Sequence, residues 1–171
     1  ACGQAILMNN FKKTFEKKNL AVAQILLTYS DTEDRKKSLN SRETIFELLR
    51  CNVIPIVNEN DSVAVDELKF GDNDRLAARV SQIIDANVLI LLSDVDGLFN
   101  ENPKKNKNAV LIREVEKINE KIFKMASSET NYHGTGGMFT KIEAAEIASE
   151  SGCCTIICRG TKKNPISEYL K

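Results

Sequence analysis

Carboxylates and amides are concentrated in two short segments of this 171-residue chain, and both have side chains suited to holding an amino acid. The first segment, residues 58–61, runs from Asn58 to Asp61 directly after an apolar run. Asn side chains donate and accept hydrogen bonds, while carboxylates only accept. Such a set can hold the zwitterionic end of an amino acid, with Asp61 receiving the ammonium group. The alternative is a simple turn, because Asn and Asp also favour turns.

The second segment, residues 71–74, precedes a helical pattern. Asp72 or Asn73 can cap that helix, which is the purely structural alternative. The N–H groups and the positive dipole end of the same helix also suit an anion such as a substrate carboxylate. Asp74, one position on, can orient a nearby lysine by its charge. Two such clusters at neighbouring strand–helix turns favour a binding site over two unrelated turns.

Two polar residues, Ser93 and Asp94, follow the clearest strand pattern of the chain. They lie where ligands bind in open parallel sheets, beyond the carboxyl ends of the strands. The dipeptide Asp96-Gly97 that follows predicts a turn by itself. The segment has only a superficial likeness to a calcium-binding loop, because the bidentate Glu that closes such a loop is absent.

A Gly- and Thr-rich segment, residues 134–141, suits phosphate binding. Its glycines let backbone N–H groups approach phosphate oxygens closely, and Thr135 and Thr140 add hydroxyl donors. Lys141 adds a positive charge in the first turn of the next helix, where the dipole disfavours it unless an anion is its partner. The segment lacks the Gly-Lys-Ser/Thr ending of a Walker A loop, and a flexible connector is the alternative.

The elements that position these segments alternate between continuous apolar runs and helical periodicity. Strands are predicted at residues 20–28, 53–57, 88–92 and 155–158. Helices are predicted at residues 4–16, 76–84, 119–126 and 138–149, and a further helix is predicted to begin at an N-cap, Asn40 or Ser41. In the first of these helices, Ile6, Leu7, Phe11 and Phe15 lie on one side. Loops are predicted at residues 30–37, 58–73, 94–107 and 127–137.

This alternation is typical of an α/β fold, a three-layer α/β/α sandwich with a mostly parallel sheet that helices cover on both faces. The carboxyl ends of parallel strands share one edge of the sheet, and ligands bind there. Since the polar segments follow the strands, we expect the candidate residues to gather along that edge.

The composition favours an ordinary globular protein in the cytoplasm. The 24 Lys and Arg balance 24 Asp and Glu, so the chain is not a basic nucleic-acid binder. The 5 cysteines include no C-x-x-C pair, which indicates reduced thiols rather than a disulfide framework or a zinc site. The start has no signal-peptide pattern, and the longest apolar run is too short to span a bilayer. His133 is the only histidine, which argues against a Ser-His-Asp hydrolase.

Together the four segments resemble the signatures of the amino-acid kinase family, and the likeness extends from Gly3 to Gly160. Residues 92–98 and 134–141 resemble motifs that occur across the family. Residues 57–61 and 69–74 resemble those of the members that use ATP to phosphorylate the side-chain carboxylate of glutamate. The resemblance therefore implies the amino-acid kinase fold and this reaction, the first step of proline biosynthesis.

The resemblance also implies individual roles. Substrate-binding positions are Asp61, Asn73, Asn58 and Asp72. Nucleotide-binding positions are Ser93, Asp94, Thr135, Gly136, Gly137, Met138, Phe139, Thr140 and Lys141. Lys141 would also neutralise charge on the transferring phosphoryl group, with Asp74 positioning the lysines. Mg²⁺ would bridge the ATP phosphates and keep several waters, so no protein ligand is assigned to it.

On the same resemblance, residues 1–171 correspond to the C-terminal part of a single amino-acid kinase domain, without the PUA domain that many of the glutamate-phosphorylating members append. The family's first strand, its Gly-Ser loop with a second catalytic lysine and its Ser-Ser-Gly-Ala-type substrate loop are expected upstream. We expect a homo-oligomer, a dimer or tetramer, with glutamate and ATP as small-molecule partners. The alternatives are an acetylglutamate, aspartate or uridylate kinase, or a non-catalytic ligand-binding fragment.

Overall fold

Helices and parallel strands alternate in the structure, a computed structural model that describes residues 2–60, 62, 72–103, 105–127 and 137–167. The chain divides into two compact units, residues 1–76 and 77–171. The first unit contains α1 (Cys2–Glu16), β1 (Ala21–Leu27), α2 (Tyr29–Glu33), α3 (Arg35–Arg50) and β2 (Val53–Glu59). After α4 (Asn73–Ile83), which begins in the first unit, the second unit contains β3 (Val88–Ser93), α5 (Glu120–Ser127), α6 (Met138–Ser149) and β4 (Cys154–Arg159).

Each unit has one parallel strand pair among its described residues. β1 pairs with β2, with Ala21 opposite Val53, and β3 pairs with β4, with Val88 opposite Cys154. Parallel neighbours need a crossover connection, and α3 and α6 lie in the crossovers of the two pairs. The predicted α/β class with parallel strands is confirmed.

Residues with positive φ end the helices that lead into strands. The residues that follow α1, α3, α4 and α6 in this way are Asn19 (φ 57°), Asn52 (φ 57°), Asp85 (φ 50°) and Gly152 (φ 78°). After α4, the Ala86 amide donates to the Ser81 carbonyl at 2.9 Å, the long bond of a Schellman motif around Asp85. Asn and Asp tolerate this conformation better than other side chains do, so the helix carbonyls are satisfied as the chain turns into the strand.

Most of α2 and the start of α3 lie at residues 30–37, where the sequence pattern predicted a loop. Thr28 and Asp31 form a capping box, in which Asp31 Oδ2 accepts from the Thr28 amide at 2.8 Å. Asp34 Oδ1 then accepts from the Lys37 amide at 2.9 Å and caps α3. The prediction that this helix begins at residue 40 or 41 is wrong, because both positions lie inside α3.

Small residues of α4 and α6 contribute to one buried cluster in the second unit. Ala78 of α4 and Ala144 and Ala148 of α6 are completely buried, in one cluster with Leu91 of β3 and Cys153. Larger side chains at these alanines would overpack the cluster. This cluster connects both helices to Leu91 of β3 within the unit.

Several apolar side chains are more exposed than their sequence pattern predicts. In β3, Leu91 is buried, whereas Val88 and Leu92 are 45% and 52% exposed. Alternate residues of a strand point to opposite faces, so the described helices cover one face of β3 and leave much of the other accessible. Ile6 and Leu7, expected on the buried side of α1, are also exposed.

Candidate functional site

The first predicted substrate segment begins inside β2 rather than after it. Asn58 is the sixth residue of that strand, and its Nδ2 donates to Gln4 Oε1 on α1 at 2.8 Å. Gln4 Nε2 is itself buried and has no acceptor among the described residues. Sequence reasoning missed Gln4, because its bond to Asn58 joins positions 54 residues apart. Asp61 lies outside the described residues.

The second predicted substrate segment starts α4 and contains an incompletely paired carboxylate. Asp72 Oδ1 accepts from the Asp74 amide at 2.8 Å, as an N-cap side chain does. Asp72 Oδ2 is buried, and no donor in the described part of the chain reaches it. Asn73 is exposed at the start of the helix and Asp74 is partly buried in its first turn. Of the two predicted caps, Asp72 and Asn73, the structure shows Asp72 as the cap of α4. Its second carboxylate oxygen can accept from a further donor.

Ser93 and Asp94 lie at the carboxyl end of β3, as expected. The Ser93 hydroxyl donates to Asp94 Oδ1 at 3.3 Å, and the Gly160 amide donates to the Ser93 carbonyl at 2.9 Å. A Cβ at Gly160 would lie 3.1 Å from the Cβ of Leu92, so glycine permits this close approach of the two strand ends. The ends of β3 and β4 thus form one edge within the second unit.

An ion-pair cluster lies beside Ser93 and Asp94 on this edge, and its pairing is not evident from the sequence. Arg159 donates from Nε and Nη2 to Asp96 Oδ2, at 3.2 and 3.0 Å. Lys162 Nζ lies 2.6 Å from Asp96 Oδ1. Hydrogen bonds from Lys162 and Arg159 hold the pKa of Asp96 below its usual value. Local sequence indicates a turn at Asp96-Gly97, but it does not indicate that Asp96 pairs with Arg159, which ends β4 as Ser93 ends β3.

The described part of the predicted phosphate segment is the N-terminus of α6. Gly137, at φ 128°, precedes the helix, and no side chain caps it. The Thr140 hydroxyl donates to the Gly137 carbonyl at 3.0 Å. A helix start without a side-chain cap and without acidic residues in its first turn suits an anion such as a phosphate. Thr135 and Gly136 lie outside the described residues.

The three other predicted nucleotide residues in α6 differ in what their side chains can do. Met138 is buried in an apolar cluster, and the rings of Phe139 and Phe123 pack at 5.6 Å between centroids. These two positions can therefore offer a nucleotide their backbone but little of their side chains. Lys141 is partly buried one turn into the helix.

No group of three His, Cys, Asp or Glu side chains in the described residues is arranged to hold a metal ion. Asp94 and Asp96 lie two positions apart, but Asp96 is already engaged by two cations. Any divalent ion at this edge would therefore depend largely on ligands such as phosphate oxygens and water.

The comparisons with known proteins agree with this arrangement. Residues 1–160 match the amino acid kinase family. The chain belongs to this family. Among curated amino acid kinases, it is 52% identical to a glutamate 5-kinase of Pelagibacter ubique strain HTCC1062, over 99% of this chain and 46% of that protein. It is 48% identical to a glutamate 5-kinase of Clostridium acetobutylicum, over 99% of this chain and 64% of that protein. The chain thus spans roughly half to two thirds of the length of these relatives.

Solved structures of kinases with other substrates share the fold at low sequence identity. A UMP kinase from Ureaplasma parvum has a TM-score of 0.59 at 13% identity, over 96% of this chain and 62% of that one. An isopentenyl phosphate kinase from T. acidophilum has a TM-score of 0.55 at 17% identity, over 86% of this chain and 55% of that one. In the part of the chain that the structure describes, no helix is both long and apolar enough to cross a membrane.

Proposed function

We propose that this amino acid kinase transfers the γ-phosphoryl group of ATP to the side-chain carboxylate of L-glutamate, which opens proline biosynthesis. The observation that carries the proposal is identity of 43–52% to several proteins named glutamate 5-kinase, across nearly the whole chain. UMP and isopentenyl phosphate kinases share only the fold, at 13–17% identity, and give no comparable support for their substrates.

Two unpaired polar atoms in the first unit support an amino-acid substrate. Asp72 Oδ2 is an acceptor without a donor, and Gln4 Nε2 is a donor without an acceptor, among the described residues. A buried polar atom without a partner costs free energy, which a ligand group of the opposite kind recovers. An ammonium group suits Asp72 together with Asp61, and a carboxylate suits Gln4 with Asn58. Asn73 and Asp61 complete the proposed substrate set.

The proposed nucleotide site lies in the second unit. The uncapped N-terminus of α6 offers backbone N–H groups to the phosphates, and Ser93 and Asp94 offer polar side chains at the sheet edge. Thr135, Gly136 and Thr140 belong to the same proposed phosphate segment. Mg²⁺, when bound with ATP, would neutralise phosphate charge and keep several of its waters.

In the chemical step the phosphoryl group passes directly from ATP to glutamate, without a covalent enzyme intermediate. A side-chain carboxylate oxygen of glutamate forms a bond to the γ-phosphorus, and the bond to the ADP oxygen breaks with its electron pair on ADP. The protein contributes placement and charge stabilisation. We assign Lys141 to the developing charge on the transferred group, and Asp74 to the positioning of the lysines.

The setting of the reaction follows from the same proposal. The described cysteines Cys51, Cys153, Cys154 and Cys158 form no disulfide, which suits a reducing cytoplasm. Glutamate and ATP are the proposed small-molecule partners, and we expect the full-length protein to work as a homodimer or homotetramer.

An ADP-release assay on the full-length protein tests the proposal. The panel contains glutamate, aspartate, N-acetylglutamate and UMP at matched concentrations with Mg²⁺ and ATP, and Lys141→Met serves as the inactive control. We expect release with glutamate to exceed that with the other three by orders of magnitude. Preference for another acceptor would assign a different family activity, and no acceptor-dependent release would indicate a non-catalytic ligand-binding protein.

A further inference from the structure

The carboxylate of Asp96 connects the ends of two neighbouring strands. Asp96 belongs to the loop that leaves β3, and Arg159 is the last residue of β4. Within the pair, Ser93 lies opposite Arg159. Two nitrogens of the Arg159 guanidinium bind one Asp96 oxygen, and Lys162 binds the other. The loop after β3 is therefore fastened to the end of β4 and to the segment that follows it.

These ion pairs contribute more to geometry than to folding free energy. The side chains of Asp96, Arg159 and Lys162 are 30%, 39% and 49% exposed. Ion pairs with this much solvent contact contribute little to stability. A guanidinium that donates from two nitrogens nevertheless fixes orientation, because its donors form a rigid fork.

The next residue, Gly97, restrains the same loop from the other side. It is buried at φ 150°, and a Cβ there would lie 3.2 Å from Cδ1 of Leu111 and 3.5 Å from the Ile157 carbonyl oxygen. The loop thus has a tightly packed glycine next to an ion-paired aspartate. Only residues 94 and 95 separate Asp96 from the end of β3. The position of Asp94 therefore depends on how Asp96 and Gly97 are held.

We propose that Asp96 is a positioning residue of the nucleotide site, which holds the loop after β3 so that Ser93 and Asp94 meet ATP. The inference rests on the proposed function for the identity of the ligand. Asp96 acts through its contacts with Arg159 and Lys162, and it does not touch the substrates. Its lowered pKa means that the carboxylate stays ionised at physiological pH.

The test replaces Asp96 with Asn in the full-length protein, because Asn keeps the size of the side chain and removes its charge. We expect the Kd and KM for MgATP to rise about tenfold, equivalent to about 1.4 kcal/mol, with the KM for glutamate unchanged within twofold. Arg159→Gln should have the same effect, and Arg159→Lys should restore part of the affinity, because it keeps the charge but loses the fork. When Asp96→Asn and Arg159→Gln are combined, their effects on the Kd for MgATP should not add, because each substitution removes the same interaction.

Asp31→Asn in the first unit is the matched control. Burial by itself raises the pKa of Asp31, but hydrogen bonds from Thr28 and the nearby Lys37 outweigh it, so that carboxylate is also ionised and paired with a lysine. The same chemical change there should alter folding stability without altering the KM for ATP.

The outcomes separate this inference from the proposed function. Wild-type protein that binds no ATP in a fluorescence titration would overturn the nucleotide assignment and the inference together. Wild-type protein that binds ATP, with Asp96→Asn and Arg159→Gln binding equally well, would overturn the inference alone. Equal increases in both substrate KM values, or additive effects in the double variant, would also overturn it, because they indicate a general structural role.

Discussion

Substitutions of Asp72 can distinguish a helix cap from a substrate ligand, because only one of its two carboxylate oxygens is used by the cap. Oδ1 accepts from the Asp74 amide, while Oδ2 is buried without a donor among the described residues. Asp72→Ala removes both oxygens, whereas Asp72→Asn keeps an equally good cap and removes the charge. The two variants therefore lose different parts of the same side chain.

The expected magnitudes follow from these contacts. Asp72→Ala should lower the free energy of unfolding by about 1 kcal/mol, the usual cost of a lost N-cap. Asp72→Asn should lower it by about 0.5 kcal/mol or less, through the weaker interaction with the helix dipole. Both should raise the KM for glutamate, since a hydrogen bond to a charged group contributes about 1.5–3 kcal/mol, or about 10- to 150-fold in affinity.

Urea unfolding measures the stabilities, and steady-state kinetics with each substrate varied in turn measures the KM values. Asp34→Asn, at the cap of α3, is the control: the same substitution at a cap outside the proposed site should leave both KM values unchanged. If Asp72→Asn has a normal KM for glutamate, or if it raises the KM for ATP as much as that for glutamate, Asp72 is a cap and not a substrate ligand.

The other predictions concern catalysis, binding, a turn and pH. Lys141→Met should reduce kcat by about 10²–10³-fold with a near-normal Kd for ATP, and Lys141→Arg should recover only part of the rate; a normal kcat with weakened ATP binding would make it a binding residue. Asp61→Ala and Asn73→Ala should each raise the KM for glutamate far more than that for ATP, and equal effects would reject the assignment. Asp85→Val should be about 1–2 kcal/mol less stable in urea than Asp85→Asn, because a β-branched side chain is strained at φ 50° whereas Asn tolerates it; equal midpoints would contradict this. Folding lowers the pKa of Asp96 from its ordinary value of 3.8, so the ionised carboxylate stabilises the native state above pH 3.8. This stabilisation is lost as the pH falls below 3.8 and through the lowered pKa. Asp96→Asn should therefore make the free energy of unfolding less sensitive to acid.

The sequence predicted the order of elements well, because continuous apolar runs and helical periodicity report burial directly. Helix α6 has the bounds expected for it, and the strand pairs are parallel as expected. Helix starts were harder to predict, since several Ser, Asp and Asn residues compete for each cap. The capping box between Thr28 and Asp31 and the cap at Asp34 determine where α2 and α3 begin, and a polar run alone does not reveal which one acts.

The candidate site was predictable where neighbours in sequence form a motif, and not where distant residues meet. The sequence indicated Ser93 and Asp94 because they follow a strand. It did not indicate the bond of Asn58 to Gln4 or that of Asp96 to Arg159, which join positions 54 and 63 residues apart. Nor did it indicate that the side chains of Met138 and Phe139 pack in a core.

Trapping the product with hydroxylamine tests the central claim most directly. An acyl phosphate reacts with hydroxylamine to give a hydroxamate and phosphate, and mass spectrometry locates the hydroxamate on the side-chain or the α-carboxyl group. With full-length protein, MgATP and L-glutamate, we expect the side-chain hydroxamate to accumulate in step with ADP, and to form about 10²–10³-fold more slowly with Lys141→Met. ADP formation without a hydroxamate, or a hydroxamate at the α-carboxyl group, would contradict phosphorylation of the glutamate side chain.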